Sequence, residues 1–452
     1  MLRESIRCYR PVSQLKYYQK FIKHYNYSVG VYVGAGSRNE CLSSTGTSYL
    51  LQKMALRGTA TRSKTELAEE LENIGARYSA ESDREYTQYG LQVFKGDASK
   101  AVGILGDMLC NNALNSAELE LLKDEVSMEH EDNHNRYVET TLENVHFNSF
   151  REHMLGQPIK GDRDLTQTLG VDHLREYQAA NYFGENIVVV ATGDVSHDQI
   201  VDSVAQHFDS IPKTANAVTK GTEKAVYGPS ILFLRDDEMV NSNVGIFYDA
   251  PSKKHEDYYA FLLMKHMFGK YRIDQHAEHL NDCHKQYNSM HALLGDLPDV
   301  TRADAHYFAY SDAGLFGNYF FGNEVFTRQM NYCGVCLPTI YSHYLNDVEV
   351  IRGRNHLYNE LLNAESQASV NADIGKNMLL LGRRLPRSEI AARVAHIDNY
   401  HIKQLCNQWF YDAEPSFTNW GPIETVSHVA SYKYFKVNTM STVINSHHTL
   451  FN

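Results

Sequence analysis

Two hydrophobic rhythms alternate along this chain, one repeating every second residue and one every three or four. Val29-Gly30-Val31-Tyr32-Val33 is the first clear strand, its alternate residues facing one side of a sheet. Gly34, Gly36 and Ser37 break it. The pattern returns as Val244-Gly245-Ile246-Phe247-Tyr248, closed by Asp249, Ala250, Pro251 and Ser252. A helix-like apolar run follows each strand, Ser48-Tyr49-Leu50-Leu51 in one case and Ala260-Phe261-Leu262-Leu263 in the other. Leu114-Asn115-Ser116-Ala117-Glu118 opens a later helix, and Leu345-Asn346-Asp347-Val348-Glu349 opens its counterpart. Near the end of each unit an aromatic pair leads into a strand: Tyr182-Phe183 before Val188–Ala191 and Gly193, Phe410-Tyr411 before Phe417 and Gly421. Ordered matches at offsets of roughly 210–230 residues are the signature of an internal duplication.

Within the first unit, Ser63-Lys64-Thr65-Glu66 has the spacing of a capping box, as do Asn115 and Glu118. Leu67, Leu71 and Ile74 follow Ser63 at helical spacing, and Gly75 stops the helix. A strand over Tyr86–Val93 and a helix over Ala101–Leu109 come next. Strands and helices mix without strict alternation, so the fold class is α+β. Two homologous domains are predicted, each a mainly antiparallel sheet with helices packed on it. The expected organisation is an N-terminal arm or targeting remnant (1–27), a first domain (28–212), a linker (213–229), a second domain (230–430) and a polar tail (431–452).

The length of 452 residues suits two domains of roughly 200 residues. A net charge of -12 argues against nucleic-acid binding, which rests on Lys and Arg neutralising phosphates. The longest apolar stretch, Ile187–Ala191, is far short of the roughly 20 residues a membrane-spanning helix requires, so membrane contact would come through partners. Seven scattered cysteines do not form a disulfide framework and point to a reducing compartment. Arg3, Arg7 and Arg10 against Glu4 give the first ten residues the look of a short mitochondrial targeting segment; an ordinary basic terminus reads the same way.

Val29–Arg38 (VGVYVGAGSR) resembles the opening strand and turn of the pitrilysin-type metallopeptidases, in particular the mitochondrial processing peptidases and respiratory core proteins. Gly46–Met54 stands in the place of that family's metal-binding helix. Leu56–Thr59, Gly156–Pro158, Gly193–His197, Tyr310–Gly317 and Gly382–Pro386 fall where the family has similar stretches. The second-half segments are most similar to the β-type peptidase subunit and the first core subunit of ubiquinol–cytochrome c reductase.

Active members carry an H-x-x-E-H helix, whose two histidines share one face and bind zinc while the glutamate serves as base. A distal glutamate is the third ligand. The resemblance places Tyr49, Gln52 and Lys53 at the three motif positions, and counting the family's interval onward lands on His130. A phenol is a poor ligand at neutral pH, an amide is no base, and an ammonium has no lone pair. The resemblance therefore implies no catalysis, no bound metal and no cofactor. It implies a structural core subunit on the matrix side of the mitochondrial inner membrane. The implied partners are a second core subunit, cytochrome b and cytochrome c1 type subunits, and small subunits of the same complex.

Two other readings stay open. One is the inactive, presequence-binding partner of a processing peptidase, although the glycine-rich loop of that subunit is missing from Gly269–Leu294. The other is a zinc enzyme through His130-Glu131-Asp132-Asn133-His134, an H-E-x-x-H match in a polar run. His276, His279, Cys283 and His284 would share one helical face and could bind a metal or simply be scattered on an amphipathic helix. Cys333-Gly334-Val335-Cys336 is a lone C-x-x-C, read as two buried cysteines.

Overall fold

A computed structural model describes residues 16–20, 26–94, 96–132, 136–214, 223–272, 289–294, 300–362 and 366–422. The first half contains β1 (Lys16–Lys20), β2 (Asn26–Val33), α1 (Thr47–Met54), α2 (Lys64–Asn73), β3 (Arg77–Ser82), β4 (Thr87–Phe94), α3 (Ala98–Cys110), α4 (Ser116–Asp132), α5 (Tyr137–Phe150), α6 (Arg163–Thr168), α7 (Val171–Asn181), β5 (Ile187–Thr192) and α8 (His197–His207). The second contains β6 (Ile231–Arg235), β7 (Asn241–Asp249), α9 (Tyr258–Phe268), β8 (Lys270–Arg272), α10 (Ser289–Leu294), β9 (Val300–Ala309), β10 (Gly314–Asn323), α11 (Thr327–Tyr344), α12 (Asp347–Leu362), α13 (Gln367–Leu381), α14 (Arg387–Ala395), α15 (Asn399–Phe410) and β11 (Ser416–Gly421).

Two sheets result, ordered β1-β5-β2-β4-β3 and β6-β11-β7-β10-β9-β8. Strand for strand the second repeats the first and adds β8 at one edge. In each sheet only the outermost pair, β1 with β5 and β6 with β11, runs parallel. The remaining pairs are antiparallel. The α+β class and the duplicated architecture therefore stand as the pattern of apolar positions implied.

β5 shows why a run of Ile and Val without polar interruptions sits here. Ile187, Val189 and Ala191 enter the core beneath α1, α3 and α4, while Val188 and Val190 enter a second core with Val370, Ile374 and Met378 of α13. Both faces are covered, so both parities must be apolar. Each fully buried valine or isoleucine contributes about 1.5–3 kcal/mol relative to exposure. The covering helix comes from the other half of the chain. The exchange is mutual, since α5 of the first half lies on β7 and β11 of the second.

Asparagines fix both crossovers. Asn371 on α13 donates to Ser28 O at 2.7 Å and Val190 O at 2.9 Å, and accepts from the Tyr32 hydroxyl at 2.7 Å. Asn148 on α5 donates to Phe417 O at 2.8 Å and Ser230 O at 3.0 Å. Beside Asn371 the helix comes so near the sheet that a Cβ on Gly375 would lie 2.4 Å from the Tyr32 ring.

A buried ion cluster joins the same two halves. Arg38, in the turn after β2, reaches both carboxylate oxygens of Asp312 at 2.6 Å and Glu85 at 2.7 Å. Glu85 also accepts from the Ser311 backbone N–H and hydroxyl. The stretch expected as a linker is anchored here: Arg38 donates to Glu223 O, and the Ala225 N–H donates to Asp312. Its residues 215–222 lie outside the described residues, as do the basic N-terminal segment and the 431–452 tail. Lys16–Lys20, expected to belong to an arm, form strand β1.

Candidate functional site

The helix in the expected metal-binding position, α1, is fixed at its start by the backbone. Gly46 takes φ +90°, a left-handed conformation that glycine adopts without penalty. The Glu40 carboxylate accepts the N–H groups of Gly46 at 2.8 Å and Ser48 at 2.6 Å. A helix N-terminus favours a negative charge, yet burial pushes the Glu40 carboxyl up to about 7 despite these bonds.

One turn apart on α1, Tyr49 and Lys53 meet a single carboxylate from α4. The Tyr49 hydroxyl donates to Glu129 Oε2 at 2.6 Å, and the Lys53 ammonium donates to Glu129 Oε1. Lys160 Nζ lies 3.9 Å from the same carboxylate. Burial works against the charge on Glu129, but the bonds from Lys53 and Tyr49 outweigh it and hold its carboxyl below the usual range. Burial, and then the neighbouring Glu129, push the Tyr49 phenol far above its ordinary value. Gln52 is buried on the same helix.

The residue of α4 that meets Tyr49 and Lys53 is therefore Glu129, one residue before His130, to which counting along the chain points. One residue rotates a helix by about 100°, which turns His130 away from Lys53 toward a cleft, where it is half-buried. Burial and then Lys160 lower its imidazole below the ordinary value. Glu131 faces Arg163 at 2.6 Å. His134, which the H-E-x-x-H reading needs, lies outside the described residues, as do His276, His279, Cys283 and His284. Cys333 is buried and Cys336 half-buried on α11, and burial raises both thiols, to about 12 and about 11.

The cleft, of about 900 Å³, lies between the halves. Tyr49, His130 and Lys160 line it from one side, and Tyr307–Ala309 of β9 with the following Tyr310 from the other. Carboxylates dominate its polar lining: Glu81, Asp83, Glu139, Glu143 and Asp162 against Arg84, Lys160 and Arg163. Arg84 and Glu143 neutralise each other at 2.6 Å, and Arg84 also donates to Leu155 O at 3.0 Å, which leaves four carboxylates against Lys160 and Arg163. His146 spans the wall, its Nδ1–H donating to Leu142 O and its Nε2 accepting from the Tyr310 hydroxyl at 2.7 Å. Burial, reinforced by Arg84, holds this imidazole well below its ordinary value and hence neutral. Sequence reading missed Glu129, Lys160 and His146. Only the acid adjacent to the counted position carried a signal.

Comparison with known proteins now bears on this geometry. Residues 23–163 match the family model described as Insulinase (Peptidase family M16), and residues 168–330 match the one described as Peptidase M16 inactive domain. The chain belongs to peptidase family M16. Among M16 relatives, it is 28% identical over 420 residues to "Cytochrome b-c1 complex subunit 1, mitochondrial" of Rattus norvegicus, covering 89% of this chain and 84% of that one. It is 28% identical over 416 residues to "Mitochondrial-processing peptidase subunit beta" of Pongo abelii, covering 88% and 80%. A chain of "Complex III2 from Candida albicans, Inz-5 bound" superposes with a TM-score of 0.77 at 18% identity, over 93% of this chain and 97% of that one, which shows the shared fold.

A zinc ion of the M16 type does not fit these side chains. The two positions that the resemblance matches to histidines present a phenol held protonated and an ammonium, and Glu129 is already bonded to both. Metal would have to displace a bonded cation and strip a proton from Tyr49. Among the described residues, no group of three or more His, Cys, Asp or Glu is placed to hold a metal ion.

Proposed function

We propose that this chain is a non-catalytic structural core subunit of mitochondrial ubiquinol–cytochrome c reductase, peripheral on the matrix side of the inner membrane. It pairs there with a second core subunit of the same family and supports the cytochrome b and cytochrome c1 type subunits and the small subunits. The observation that carries this reading is the Lys53–Glu129–Tyr49 cluster, at positions that the resemblance matches to the family's metal site. Likeness to a cytochrome b-c1 subunit over most of both chains favours this complex. Among the described residues no helix is long and apolar enough to cross a membrane, which suits attachment through partners. An obligate pairing of two such subunits buries upwards of about 2,000 Å². The two domains are taken to span 28–212 and 230–430.

A second reading has one observation in its favour, the acid-rich cleft. It could hold a cationic segment such as a presequence, making the chain the inactive partner of a processing peptidase, as the processing-peptidase relative suggests. Depletion followed by re-expression separates the two. Loss of the chain should lower assembled ubiquinol–cytochrome c reductase, and both the wild-type chain and a Gln52→Ala variant should restore it. An intact complex accompanied by accumulating unprocessed precursors would overturn the structural reading in favour of the second.

A further inference from the structure

We propose that Lys53 is a built-in replacement for the family's metal: its ammonium bonds the carboxylate that a metal would have claimed and so fastens α1 to α4. The idea rests on the reading of the chain as non-catalytic and adds a purpose to the altered site. Tyr49 and Lys53 are four residues apart, hence on one face of α1, and both end on Glu129. A divalent ion would join these helices by coordination to three side chains. Here one positive charge and one phenolic hydrogen bond make the same three-way junction, without a ligand that can dissociate.

The frame around the junction does not depend on a metal. Glu40 secures the first N–H groups of α1. At Gly46 the chain runs so close to the loop before α6 that a Cβ would lie 2.8 Å from Lys160 O. Lys160 in turn stands 3.9 Å from Glu129. The helix is therefore held in register against α4, and its two outward positions still converge on one acid. The geometry of a three-ligand site persists with two donors exchanged.

Two consequences follow for the full-length chain. Removing the ammonium should loosen the junction, because Glu129 would remain partly buried with its closest cation gone. Returning imidazoles to positions 49 and 53 should reopen the site to zinc through Glu129. The test compares zinc content, by elemental analysis after dialysis against zinc, for wild type, Y49H/K53H, Y49H/K53H/E129A and Y49H/K53H/H130A. Folding is checked by circular dichroism.

About one zinc per chain is expected in Y49H/K53H and in its H130A derivative, and far less in wild type and the E129A derivative. In parallel, K53M should melt about 2–4 °C below wild type and exchange the amide hydrogens of 47–54 faster. A folded Y49H/K53H that takes up no zinc, zinc uptake indifferent to E129A, or K53M as stable as wild type would overturn the inference while leaving the non-catalytic reading in place. One zinc per wild-type chain would instead overturn that reading.

Discussion

His306 on β9 illustrates how single side chains set the pH response. Burial pushes its imidazole down to about 4, with Asp304 opposing and Lys265 assisting, and its ring stacks on Phe308 at 5.8 Å. The unfolded chain titrates this histidine near 6.5, so between 6.5 and 4 it binds a proton that the folded protein refuses. Stability therefore falls on acidification through that window, by up to roughly 1.4 kcal/mol per pH unit for this group. His306→Asn should flatten that part of the profile in urea titrations at pH 7, 6 and 5. A variant with the wild-type slope would contradict the assignment. At this same scale the sequence was informative about Tyr49, Gln52 and Lys53, because helical spacing is rigid and their chemistry is explicit. The acid that Tyr49 and Lys53 meet, Glu129, stands one residue before the counted position His130, and an interval spanning several loops carries no such rigidity.

Secondary elements were legible where a cap or a two-sided core demanded particular residues. The Ser63 box forms as expected, with the Glu66 N–H donating to the Ser63 hydroxyl and the Ser63 N–H donating to the Glu66 carboxylate. Ser63→Ala should cost about 1 kcal/mol in chemical denaturation. An unchanged midpoint would mean that α2 is held by packing alone. Asn115 caps α4, but Glu118 turns to Arg57 and Lys64 instead of closing the box. The reciprocal bond forms in the second half, between the Asn346 N–H and Glu349. Strand β3 is hard to read from sequence because its inner parity is only weakly apolar: Tyr78 and Ala80 pack half-buried against the core, while Arg77, Ser79 and Glu81 stay exposed, as befits an edge strand. The helix exchange is equally illegible in the sequence, since nothing in α5 or α13 marks the sheet on which each will pack. Asn371→Ala should cost about 1–3 kcal/mol through the stranded carbonyls of Ser28 and Val190. Asn148→Ala should behave alike in thermal melts, and an effect at one site alone would break the equivalence of the two crossovers.

Across the whole molecule, the two halves are joined by exchanged helices and by the cluster on Arg38, whose side chain is only 3% exposed. Removing one member of a buried ion cluster leaves its partners uncompensated, at about 3–5 kcal/mol. Arg38→Met should therefore weaken the contact between the halves and increase protease sensitivity in the 213–229 stretch. Resistance equal to wild type would show that the exchanged helices suffice. A cleft between two firmly joined halves, with the Lys53 ammonium bonded to Glu129, suits the scaffold proposed above. The most direct check is native electrophoresis of gently solubilised mitochondrial membranes, with mass spectrometry of the band that carries this chain. Co-migration with the haem-bearing b and c1 type cytochromes is the predicted result. Co-migration only with a soluble partner that retains an intact H-x-x-E-H helix would contradict it.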